Sequence, residues 1–145
     1  MYLALYFLVS WLTLSVLGYY WLRPPKNMRV YLICPVRNIS PGQQQEIEQY
    51  VYGLEINGYV VHYPPRDVEQ NDPTGVDIVL AHRQAMKNCG RVDIFWDVNS
   101  SGSHFDIGMA IILGKKLRLV KAFQDDSEGK SYLKVIQELQ SRKVY

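Results

Sequence analysis

The stretch 92–116, VDIFWDVNSSGSHFDIGMAIILGKK, limits what this chain can fold into more than any other. Val92, Ile94, Phe95 and Trp96 form an apolar run bounded by turn residues, the pattern of a strand covered on both faces. Residues 98–103 read as a short Ser/Gly turn, and a helix is expected from about His104 or Phe105 to Leu113, stopped by Gly114. In an open α/β sheet, ligands gather outside the carboxyl ends of the strands, where loops lead into helix N-termini. That place holds two carboxylates, Asp97 and Asp106, together with Ser100, Ser101, Gly102 and Ser103. Backbone N–H groups and the helix dipole there suit an anionic group such as phosphate.

The elements on either side extend the pattern. Residues 28–34 (MRVYLIC) read as a strand ended by Pro35. Ser40, Pro41 and Gln43 give an N-cap, a proline at N1 and a capping-box partner for a helix to Asn57, with Gly58 as its stop. Residues 59–63 are a second strand, and 64–75 a twelve-residue polar loop. A helix over 76–88, the central strand 92–97, its helix, a strand over 117–122 and a final helix over 130–142 complete the order β-α-β-α-β-α-β-α. That alternation predicts a small doubly wound, Rossmann- or flavodoxin-like parallel sheet over residues 28–145.

Residues 1–22 carry no charged side chain. As a helix they would be roughly 33 Å long, enough to cross a hydrocarbon core of about 30 Å. Trp11, Tyr19, Tyr20 and Trp21 suit the interface with water. A cleaved signal fits poorly, because no basic n-region leads the segment and no small-x-small site ends it. A single transmembrane helix over 1–22 and a linker over 23–27 are therefore expected. Arg23, Lys26, Arg29 and Arg37 follow the segment before any acid, which predicts a cytoplasmic C-terminal domain on a single-pass membrane protein. The net charge of +2 is too small to argue for nucleic acid. Cys34 and Cys89 lack metal-ligand spacing, and neither a Walker loop nor a dinucleotide fingerprint is present, so neither metal nor cofactor is expected.

The run Ser100-Ser101-Gly102-Ser103-His104-Phe105-Asp106-Ile107-Gly108 resembles the nucleoside 2-deoxyribosyltransferase family, including the 2′-deoxynucleoside 5′-monophosphate N-glycosidases. That family has Ser-x-Gly-x-x-aromatic-Glu-Leu-Gly after a central strand, with the Glu as nucleophile. Asp106 takes the Glu position. Cys34-Pro35-Val36-Arg37-Asn38 resembles the family's Gly-Ser-Ile-Arg-Gly loop after the first strand. The resemblance spans roughly residues 29–122. It implies a nucleoside or nucleotide ligand, Asp106 as nucleophile, Asp97 positioning base or sugar, and a homo-oligomer. Arg37, Ser100, Gly102, Ser103, Cys34 and Pro35 would line the substrate.

The chemistry of the residues agrees with that implication. Cleaving an N-glycosidic bond passes through an oxocarbenium-like state, which a carboxylate beside the anomeric carbon stabilises or attacks. Arg37 can grip a phosphate as a fork. Three departures stand against it. Asp106 is one methylene shorter than Glu, Cys34-Pro35 replaces a small pair, and the stretch 81–85 (AHRQA) lacks the acid the family carries on that helix. Three readings are thus weighed: hydrolysis or transfer at a (deoxy)nucleoside or its 5′-monophosphate, a catalytically degenerate nucleotide-binding module at the membrane, and a plain interaction domain with no small ligand, in which Asp106 and Arg37 are structural.

Overall fold

The computed structural model describes residues 24–124 and 129–142. Among them are four parallel strands, β1 (Arg29–Ile33), β2 (Val60–His62), β3 (Arg91–Asp97) and β4 (Lys116–Gln124), in the order β2-β1-β3-β4. The helices are α1 (Pro41–Ile56), α2 (Pro64–Asp67), α3 (Val76–Asn88), α4 (Ser101–Ile112) and α5 (Tyr132–Ser141). The chain runs outward from β1 through α1 to β2, then returns past β1 to β3. Strand order therefore reverses between β1 and β3, the crevice where such sheets hold ligands. The expected parallel α/β sheet is what forms.

Alternation along the central strands divides the core. Tyr31, Ile33, Val92, Ile94 and Trp96 face one side, packed with Met86 of α3, Ile107 and Ala110 of α4, and Leu133 and Ile136 of α5. Leu32, Val61 and Phe95 face the other, against Ile47 and Val51 of α1. Each fully buried large side chain contributes about 1.5–3 kcal/mol, so Trp96, Tyr31 and Phe95 anchor the sheet from both faces. One strand residue breaks the apolar rule. Asp93 is wholly buried, held by Arg91 through Nε to Oδ1 at 2.7 Å and Nη2 to Oδ2 at 3.0 Å, while the Tyr50 hydroxyl donates to Oδ2 at 2.7 Å. A buried charge needs such a complete set of partners.

Several local expectations are corrected. Helix α4 starts at Ser101, earlier than His104, because Ser100 rather than Ser103 caps it: the Ser100 side chain accepts from Ser103 N–H. The polar loop 64–75 begins with the short helix α2, whose two leading prolines sit where a first helical turn tolerates them. Strand β4 runs on to Gln124, with register shifts opposite Ile94/Phe95 and Trp96/Asp97. The expected membrane helix over 1–22 lies outside the described residues; among those described, no helix is long and apolar enough to cross a membrane.

The entry to β1 is tightly fixed. The Arg29 guanidinium donates through Nε to Pro24 O at 2.9 Å, and Met28 N–H to Pro25 O at 2.9 Å. The 3-10 turn Lys26–Met28 lies directly on Gly90, where an added Cβ would come within 2.5 Å of Lys26 O and 2.9 Å of Asn27 Cα. Gly90 N–H in turn donates to Arg29 O at 3.0 Å. Only glycine fits under this crossing.

Candidate active site

The turn joining β3 to α4 is held by its own side chains. Asp97, half-buried at the carboxyl end of β3, accepts the Asn99 N–H at 2.9 Å, and Asn99 Nδ2 reaches Gln124 Oε1 at 2.5 Å. Ser100 Oγ lies 2.8 Å from Ser103 Oγ, and His104 Nδ1 lies 2.8 Å from Ser100 O. Ser103 is buried and committed to this cap, so it shapes the turn more than it presents a free hydroxyl. Ser101 and Gly102, both exposed, supply the other N–H groups at the helix start; Gly102 has open space where a Cβ would be.

Asp106 lies a turn and a half further along α4, 7% exposed. Two donors from distant parts of the chain meet it. The Tyr31 hydroxyl, from β1, donates to Oδ2 at 2.9 Å. His82 Nδ1, from α3, lies 3.2 Å from Oδ1 and 3.1 Å from Oδ2. Since a carboxylate only accepts, Nδ1 carries the hydrogen in this contact. The Tyr31 ring is stacked on His62 with centroids 5.2 Å apart, and meets His82 edge-on at 5.8 Å. Burial, reinforced by the Asp106 charge and by their hydrogen bond, pushes the Tyr31 phenol far above its ordinary range, so it stays a donor.

The same charge is felt after β1. Burial, then the Asp106 carboxylate, pushes the Cys34 thiol up to about 12. Cys34 is thereby a neutral, inert lining group close to Asp106, and Pro35 beside it is also buried. Arg37 sits exposed in the loop between β1 and α1 and makes no hydrogen bond or ion pair among the described residues. The structure thus joins Asp106 with the Cys34 end of β1, and holds Asp97, Ser100 and Ser103 together in the neighbouring turn.

Two site residues escaped the sequence: Tyr31, within the apolar run of β1, and His82, on the helix where the resemblance calls for an acid. The sequence marks neither, since their bonds to Asp106 span 75 and 24 residues. His62 stacks on Tyr31 at 5.2 Å and meets His82 edge-on at 6.5 Å, the two residues that hold Asp106. Burial lowers the His62 pKa, with nearby Asp67 opposing. A groove of about 220 Å³ opens along the β2 edge, lined by His62, Arg29, Val60, Ala85, Asn88 and Cys89. It includes neither Asp106 nor the Ser100–Gly102 turn. Among the described residues, no three His, Cys, Asp or Glu side chains are grouped to hold a metal ion.

A four-stranded parallel sheet that reverses order between β1 and β3, with a buried carboxylate on the helix that follows β3, makes this a small doubly wound α/β domain. Two solved structures share it. The CMP N-glycosidase of Clostridium botulinum superposes with a TM-score of 0.55 at 22% identity, over 76% of this chain and 80% of that one. The 2-deoxyribosyltransferase of Bacillus psychrosaccharolyticus does so with a TM-score of 0.53 at 17% identity, over 74% of this chain and 95% of that one. No family model and no curated protein matches the chain by sequence. At these identities the likeness is one of fold, in agreement with the resemblance read at Arg37 and at Ser100–Gly108.

Proposed function

We propose that this protein binds a nucleoside or nucleotide at the carboxyl ends of β1 and β3 and hydrolyses or transfers at its N-glycosidic bond. The observation that carries this reading is Asp106: a carboxylate just beneath the surface, aimed by Tyr31 and His82, on a fold shared with two enzymes named for that chemistry. Asp106 stabilises the positive charge that develops at the anomeric carbon. Asp97 orients sugar or base, and Arg37, with the Ser101 and Gly102 N–H groups, receives a 5′-phosphate. Cys34 and Pro35 line the apolar side, and Ser100 with Ser103 holds the turn.

The apolar segment 1–22 supports a membrane tether with the α/β domain on the cytoplasmic side. A second copy of the chain is the proposed partner. It is supported by the exposed apolar side chains Val76 and Leu80 on α3 and Phe105 and Ile112 on α4, two helices in contact.

The test follows free base by chromatography while the full chain is incubated with ribo- and 2′-deoxynucleosides and their 5′-monophosphates. Base release by the wild type, lost in Asp106→Asn with the far-UV spectrum unchanged, is the expected result. An undiminished Asp106→Asn rate would remove Asp106 from the reaction. Nucleotide binding without base release would favour the second reading, a binding module, for which the cover over Asp106 and its short side chain are the specific support.

A further inference from the structure

We propose that His82, acting through Nε2, is the general base that activates water in this site, with Asp106 as the group that orients it. The inference rests on the N-glycosidic reading above and decides between its two branches in favour of hydrolysis. It starts from an unmet bond: His82 is 9% exposed, its Nδ1 is committed to Asp106, and its Nε2 is buried with no hydrogen-bond partner. With the hydrogen on Nδ1, the other nitrogen offers a lone pair. A carboxylate that fixes one imidazole nitrogen so that the other works on a proton is the arrangement of the Ser-His-Asp triads.

Three further observations favour His82 over Asp106 as the group that acts on water. Asp106 already accepts from both Tyr31 and His82, so its lone pairs are partly taken. Its side chain is short for covalent attack, whereas the imidazole adds reach beyond it. An acceptor buried without a donor is costly, and a ligand that brings an O–H to Nε2 supplies the missing bond.

The reaction balances with water as the second reactant. Water attacks the anomeric carbon and passes its proton to Nε2 as the new C–O bond forms. The C–N bond breaks, and its electron pair leaves with the base nitrogen, which takes a proton from solvent. His82 then returns its own proton to solvent, and Asp106 keeps its negative charge throughout. Since nothing covalent forms on the protein, attack comes from the face opposite the base and the anomeric centre inverts.

The experiment takes the full chain, the best substrate from the nucleoside and monophosphate panel, and methanol as a competing acceptor. The methyl glycoside is read by proton NMR, and the protein by mass spectrometry under denaturing conditions. A β-nucleoside is expected to give the α-methyl glycoside, with no sugar adduct. His82→Asn keeps an N–H at the Nδ1 position to hold Asp106 but has nothing at Nε2; its base release should fall by about 100-fold or more. A retained β-glycoside, a sugar adduct on Asp106, or His82→Asn within twofold of wild type would overturn the role of His82 and leave N-glycosidic cleavage standing. Because the stereochemistry is read on the wild type, the outcome does not depend on the variant folding. No base release from any panel member would instead remove the N-glycosidic reading, and this one with it.

Discussion

Tyr31→Phe isolates one hydrogen bond at the centre of the site. Tyr31 is wholly buried, its hydroxyl donates to Asp106 Oδ2 at 2.9 Å, and its ring is stacked on His62. Phenylalanine keeps the ring and leaves little cavity, so the change is chiefly the loss of a bond to a charged acceptor. Such a bond contributes about 1.5–3 kcal/mol, while His82 still satisfies part of the carboxylate. Urea unfolding followed by circular dichroism at pH 7 should therefore show a deficit of about that size. The phenol's raised pKa adds a second, alkaline signature. The unfolded phenol ionises near its ordinary value of 10.0, whereas the folded one does not. Its contribution is thus complete below pH 10 and is lost as pH rises above it. One unit higher, the wild type gives up about 1.4 kcal/mol that Tyr31→Phe does not, so the two curves should converge. Tyr50 and Tyr63 titrate in both proteins and cancel in the difference. A deficit below about 0.5 kcal/mol at neutral pH, or two curves that stay parallel through pH 11, would refute the reasoning.

The opposite face of the sheet gives an independent check: Arg91→Met strips Asp93 of its bidentate partner and should cost about 3–5 kcal/mol, measured by the same unfolding assay. A loss under about 1 kcal/mol would mean that Tyr50 alone suffices. His62 carries a lowered pKa in the folded state, so the unfolded chain takes up its proton first; its contribution is complete above about pH 6.5 and declines as pH falls below it. His62→Phe should flatten that acid decline in a thermal-unfolding series from pH 7 to 5, and an unaltered slope would assign the proton elsewhere.

What the sequence disclosed, and what it withheld, follows from the range of the forces involved. Strand β3 and helix α4 were legible because an apolar run, a Ser/Gly turn and a helical stop are read within a few residues. The start of α4 was misplaced by about three residues because either Ser100 or Ser103 could cap it, and only the fold shows which hydroxyl accepts. Helix α2 was hidden by Pro64 and Pro65, which punctuate loops as readily as they open helices. Asp106 and Arg37 stood out by analogy of spacing. Tyr31 and His82 did not, because their meeting with Asp106 is decided by which strands are neighbours and how two helices lie on them. Asp93 could not be seen as a buried charge from within its own strand. Its partners are Arg91 two residues back and Tyr50 on another element.

The crossing of Lys26–Met28 over Gly90 has a consequence for where a substrate comes from. It fixes residue 24 to the amino end of β1, whereas Cys34, Asp97 and Ser100 stand at the carboxyl ends of their strands. The two ends are a strand length apart, about 17–23 Å for five to seven residues. On the proposed tether through residues 1–22, the chain would therefore enter the domain a strand length away from the site. Headgroup charge is screened within about 8 Å at physiological ionic strength. On that proposed tether, an anionic nucleotide arriving at Arg37 would meet the field of the protein and not that of the lipid.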